Sequence, residues 1–277
     1  MDGGHVRSLQ IGGARGDAAA DAPDASVGTS DAQPTRDAQS RDRPSDGGQP
    51  SSGIFKPPFI LGADITITVE DEYWGATYTD NGQQKSIEQL LKDHGFNFIR
   101  TSTFVDPSAS DGYASDKPEA FRDPAHTITL AKRVKKIGLG FLLDFHYSDT
   151  WASPSSQATP KAWAGLSLST LATKLHDYTK DAVTQLKAQG AMPDMVQVGN
   201  EITNGMLWNS GSISNSNFTS FATLLKAGTQ AVREVDPNIV IVMHIEKCNN
   251  FTTSKWWLGG VMAKDFGLTS SPAGSQP

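Results

Sequence analysis

The sequence predicts an α/β fold of the (β/α)8 TIM-barrel type, incomplete, and three observations predict it. Short apolar runs alternate with amphipathic helical patterns from residue 54 onward. Polar or aromatic residues follow almost every apolar run, at Asp64, Arg100, His146, Tyr147, Asn200, Glu201 and His244. The first run ends in Gly62-Ala63-Asp64, without the glycine-rich turn that an open dinucleotide-binding sheet carries. Functional side chains from successive strand ends are the pattern of a barrel mouth.

Each element has its own reason. Residues 59–65 read as a first strand. A helix is expected over 86–94, with Ile87, Leu90 and Leu91 on one face and Gly95 as its stop. A second strand over 96–100 ends in Arg100. The next helix, over 126–137, puts Leu130, Val134 and Ile137 in line and stops at Gly138. Residues 139–145 are nearly all apolar, as in a parallel strand buried on both faces. Leu168, Leu171, Leu175, Tyr178, Ala182 and Leu186 recur every three or four positions and predict a long helix closed by Gly190. A fourth strand over 195–199 delivers Asn200 and Glu201. A helix with Phe221, Leu225, Val232 and Val235 then leads through Asp236-Pro237 to a fifth strand over 239–245. That makes about five to six βα units, where a closed barrel has eight.

Residues 1–53 differ from the rest. They contain no Phe, Tyr or Trp and are dominated by Asp, Ala, Gly, Ser, Pro, Gln and Arg. Such a segment buries too little apolar surface to offset the entropy of ordering it, so a disordered tail or linker is expected there, with the barrel domain over 54–277. The start Met1-Asp2-Gly3-Gly4 lacks the basic and apolar regions of a secretory signal. The net charge of −6 argues against nucleic acid as a partner, and no apolar run is long enough to span a bilayer. The single cysteine, Cys248, excludes an intrachain disulfide and a cysteine-rich zinc site.

The chemistry is expected at the strand ends. Glu201 is the candidate general acid, because glycoside hydrolysis uses paired carboxyl groups and Glu201 ends an apolar strand. Asn200 beside it is suited to a sugar hydroxyl. The stretch Asp144-Phe-His-Tyr-Ser-Asp-Thr-Trp151 adds His146, Tyr147 and Asp149 as polar contacts and Trp151 as a flat face for a sugar ring. Metal ligation by Asp144, His146 and Asp149 is the rival use, but no His-x-His pair supports it, and no metal or cofactor is expected. Trp163, Trp208, Asp64, Arg100 and His244 complete the candidate substrate-binding set.

These residues fall in blocks that resemble the endo-β-1,4-galactanases of glycoside hydrolase family 53. The blocks are Gly62-Ala63-Asp64-Ile65, Tyr78-Thr-Asp-Asn-Gly82, His94-Gly95-Phe96-Asn97, Thr103-Phe-Val-Asp-Pro107, Leu143-Asp-Phe-His-Tyr-Ser-Asp-Thr-Trp151, Pro160-Lys-Ala-Trp163 and Val196-Gln-Val-Gly-Asn-Glu-Ile-Thr-Asn-Gly205, with His244. The resemblance implies retaining endohydrolysis of β-1,4-galactan or arabinogalactan, as in pectin degradation, by an extracellular or cell-surface enzyme, with Glu201 as acid/base; a monomer is expected, though the sequence does not fix the oligomeric state. It also implies a nucleophilic Glu on a seventh strand, for which this chain has no counterpart, and a basic residue where Ser102 stands. Residues 264–272 resemble a degraded start of the sixth strand. Glu246 shares strand parity with His244 but sits on the strand next to that of Glu201, which does not suit a nucleophile. Little turnover is therefore expected, and a non-catalytic galactan-binding protein or a non-functional gene fragment are the alternatives.

Overall fold

A computed structural model describes residues 8–10, 59–247 and 249–264. The tail expected over 1–53, apart from Ser8–Gln10, lies outside the described residues, as do Cys248 and the sixth-strand resemblance beyond Lys264. Ser8–Gln10 (β1) runs parallel to Thr77–Asp80 (β3), which in turn pairs antiparallel with Gln83–Lys85 (β4). The β3–β4 turn is Asn81-Gly82, both residues at positive φ (48° and 76°). Two consecutive positive φ values are what the tight hairpin turn demands, and Asn-Gly supplies them at least cost.

The main sheet has five strands, all parallel: Gly62–Asp64 (β2), Phe98–Thr103 (β5), Gly140–Phe145 (β6), Met195–Val198 (β7) and Val240–Val242 (β8). They lie in the order β2-β5-β6-β7-β8, so each new strand adds beside the last. This is an open arc of a (β/α)8 barrel, five strands of eight among the described residues. The long helices follow as expected: Ile87–Asp93 (α2), Pro124–Lys136 (α3), Leu168–Ala188 (α4) and Thr219–Val235 (α5). Ser86, Asp123 and Ser167 cap the first three, each side chain accepting from the amide three residues on.

Several boundaries differ from the sequence reading. The first strand shrinks to three residues, because Leu61 is paired with Asn97 through the Asn97 side chain and main chain. The second strand begins later and runs on through Thr101, Ser102 and Thr103, which pair with Leu143, Asp144 and Phe145. Their polarity reads as loop, but threonine is β-branched and suits a strand. The fifth strand ends at Val242, because its neighbour β7 turns away after Val198. Two helices lack an apolar stripe in the sequence and are found only in the structure, Thr68–Tyr73 (α1) and Phe251–Met262 (α6).

Alternation along the strands divides the sheet into two faces. Ile99, Phe141, Leu143, Phe145, Val196 and Val198 are buried with Leu130, Val134, Leu171, Leu175, Phe221, Leu225 and Val232 of the helices, and this is the core. The alternate residues Arg100, Ser102, Asp144 and Gln197 face the concave side, and they are polar. Gly228 lets α5 approach closely, since a Cβ there would stand 2.7 Å from Val198.

Candidate active site

The concave face holds a hydrogen-bonded cluster centred on Arg100. Its Nη2 donates to Asp144 Oδ2 at 2.7 Å and to Asn200 Oδ1 at 2.9 Å, its Nε donates to Gln197 Oε1 at 3.3 Å, and its Nη1 pairs with Asp64. Asp144 is fully buried, and its other oxygen accepts from Gln197 Nε2 at 2.5 Å. A buried carboxylate needs such pairing to remain ionised. His146 is buried beside it, with Nε2 3.0 Å from Asp144 Oδ2. The Ala152 amide donates to His146 Nδ1 at 2.8 Å, so the ring proton belongs on Nε2, where it is donated to Asp144.

Asn200 and Glu201 are presented by a tight turn after β7. Gly199 has φ +90°, and a Cβ there would stand 2.7 Å from Ile202 Cγ2, so only glycine fits. Glu201 itself is left-handed (φ 50°, ψ 49°), a conformation that costs a non-glycine residue about 1–3 kcal/mol and persists only where the surroundings hold it. The loop between β6 and α4 holds this turn. Gln157 Nε2 donates to the Asn200 and Glu201 carbonyls at 2.8 and 3.3 Å, and Asn200 Nδ2 donates to Ala152 O at 2.9 Å. His244 Nδ1 lies 2.9 Å from Asn200 Oδ1. Burial, and then the Arg100 cation, hold the His244 imidazole below the usual histidine range. The Glu201 carboxylate is partly exposed and has no hydrogen-bond partner among the described residues.

Asp64, Arg100, His146, Asn200 and His244, all named from the sequence, meet in this cluster, and Glu201 stands at its edge. Asn200 differs in role, because both ends of its amide are engaged within the protein, so it holds the turn rather than offering itself to a hydroxyl. Tyr147 is not at the mouth. Its backbone is left-handed (φ 49°), which turns the ring back to stack on Phe145 and bond Thr179 in the helix layer. Trp163 is likewise core, packed on Tyr178. Asp149 ties loops together, accepting from the Asp106 and Lys161 amides at 3.0 and 2.8 Å, while burial raises its carboxyl above the ordinary range. Trp151 is 43% exposed, with its ring 5.4 Å from His146. Trp208 is half-buried among loop residues Gln157, Thr159 and Asn204. Gln157, Gln197 and the pairing of Asp144 escaped the sequence reading. The signal for two of them was the alternate-residue parity that puts Asp144 level with Gln197 across β6 and β7.

The remaining strand-end carboxylate is Glu246. It bonds the Thr203 hydroxyl at 2.5 Å and pairs with Lys247 at 3.1 Å. Burial opposes its ionisation, yet these two partners hold its carboxyl below the ordinary range. No group of three or more His, Cys, Asp or Glu among the described residues could hold a metal ion, and no described helix is long and apolar enough to cross a membrane.

A parallel βα arc with carboxylates, amides and imidazoles gathered at its C-terminal strand ends is the arrangement of a (β/α)8-barrel enzyme. The chain belongs to glycosyl hydrolase family 53, whose sequence model matches residues 60–269. It is 44% identical over 196 residues to an uncharacterized protein of the bgaB 5′ region of Niallia circulans, covering 68% of this chain and 51% of that protein. It is 34% identical over 206 residues to the arabinogalactan endo-beta-1,4-galactanase of Humicola insolens, covering 73% and 58%. Among solved structures, the family 53 catalytic domain of Ignisphaera aggregans aligns with a TM-score of 0.69 at 37% identity, over 76% of this chain and 57% of that one. A fungal beta-1,4-galactanase aligns with a TM-score of 0.67 at 34% identity, over 74% and 59%. The chain thus spans little more than half the length of the relatives it matches.

Proposed function

We propose that the chain carries the acid/base half of a retaining endo-β-1,4-galactanase, acting on galactan or arabinogalactan outside the cell. The single observation behind this reading is the presentation of Glu201, a half-open and unpaired carboxylate held left-handed at a strand end by Gly199 and Gln157. In that chemistry Glu201 would protonate the departing sugar oxygen while a second carboxyl bonds the anomeric carbon, and would then deprotonate the water that releases the sugar from that carboxyl. Arg100, Asp144, Gln197, Asn200 and His244 fix its strand end, and Trp151 offers an exposed ring for stacking. Family membership and the galactanases among the relatives support the substrate.

Retaining hydrolysis needs a second carboxyl about 5–5.5 Å from the first. Asp64, Asp144, Asp149 and Glu246 are each already engaged. That observation favours a second reading, a galactan-binding protein without turnover. Reducing-end release from β-1,4-galactan, measured beside affinity electrophoresis in the same polysaccharide, separates the two. The catalytic reading expects release that Glu201→Gln abolishes. Retardation without release supports the binding protein, and neither retardation nor release rejects both.

A further inference from the structure

A run of packed side chains leads away from the strand ends. His146 meets Trp151, and the Arg122 guanidinium packs against the rings of both Trp151 (4.3 Å) and Tyr113 (3.8 Å). Beyond it opens a cavity of about 420 Å³, lined by Ile67, Glu70, Asp71 and Trp74 near α1 and by Tyr113 and Arg122 from the β5–α3 loop. We propose that this cavity is a distal carbohydrate-binding subsite that takes a neutral sugar unit of the polymer whose cleaved bond lies at Glu201. The proposal rests on the galactan reading above.

Four observations carry it. The volume falls within the ~300–1,000 Å³ typical of small-ligand pockets. Trp74 is 61% exposed at the rim, an indole that the core does not use and whose flat face suits the C–H surface of a sugar. Glu70 is held rigidly, by the Tyr113 hydroxyl at 2.7 Å, Lys117 at 3.0 Å and Arg122 at 3.4 Å. Burial and then that bond to Glu70 push the Tyr113 phenol up to about 12, and its proton is donated to Glu70. Arg122 is buried at φ +74°, and its Nε and Nη1 lack hydrogen-bond partners among the described residues. Leaving two buried guanidinium nitrogens unpartnered is costly, and a ligand's acceptors would offset that cost.

The wall chemistry selects the ligand class. Glu70 and Asp71 would repel an anionic sugar, and Arg122 would repel a cationic ligand. Sugar hydroxyls both donate and accept, so a neutral unit can accept from the unpartnered Arg122 Nε and Nη1 while tolerating the carboxylates beside them.

Calorimetric titration of the full chain carrying Glu201→Gln tests this, with β-1,4-galactobiose and β-1,4-galactohexaose as probes. Adding Trp74→Ala should weaken hexaose binding roughly three- to tenfold, leaving biose binding and the melting temperature unchanged. Asp71→Asn should act in the same direction. If hexaose binds and neither substitution alters its affinity, or if biose is weakened equally, the distal subsite is rejected and the galactan reading stands. If neither probe binds, the galactan reading falls and takes the subsite with it. Tighter binding of an oligogalacturonate than of hexaose would overturn the neutral class.

Discussion

The Gln157 side-chain amide lies 2.8 Å from the Asn200 carbonyl oxygen, across 43 residues of sequence. It fastens the β6–α4 loop to the turn that presents Glu201. Gln157→Leu leaves buried carbonyls unpaired, so a loss of about 1–3 kcal/mol is expected in urea unfolding. Glutamate at this position cannot donate when ionised and should do no better.

Arg100 compensates the charge of a buried Asp144. Arg100→Met should therefore cost about 3–5 kcal/mol, the penalty of leaving a buried charge unpaired. Combining it with Asp144→Asn should recover much of that loss. A double-mutant cycle by chemical denaturation measures the coupling, and strict additivity would reject the pairing as its origin.

Gly199→Ala forces a Cβ into Ile202 at φ +90°. A loss of at least about 1 kcal/mol is expected, together with loss of any activity, because the turn that aims Glu201 must shift. Melting temperature and reducing-end assays on one preparation check both.

His244 titrates below its ordinary value in the folded chain because it is partly buried near Arg100. As pH falls through about 6.5, the unfolded chain takes up a proton that the folded chain still refuses. Stability contributed by neutral His244 is therefore complete above that pH, declines below it, and levels off once the folded histidine is protonated. Melting temperatures across this acidic range should slope less in His244→Gln, which keeps a donor toward Asn200.

The long helices were legible in the sequence because Leu168 to Leu186 repeats every three or four residues and Gly190 ends the run. Strand order followed from βα alternation, and the five-strand arc bears it out. Site residues were legible where a polar side chain broke an apolar strand, as at Arg100 and Glu201. Tyr147 misled because adjacency to a strand end says nothing of which way a left-handed residue swings its ring, and Trp163 because the short 3-10 helix Lys161–Trp163 before α4 packs it into the core. Gln157 was invisible, since its role depends on a contact made 43 residues away. The β3–β4 hairpin was written in Asn81-Gly82, but its strands have no apolar face to announce them.

The Arg100 guanidinium draws on β2, β6, β7 and the turn beyond β7 while itself belonging to β5. A site built that way has no local intermediate. Detaching one of these strands strands the ions of the others, so amide protons of β5, β6 and β7 should exchange with deuterium at one common rate, set by global opening, while those of the polar β3–β4 hairpin exchange sooner.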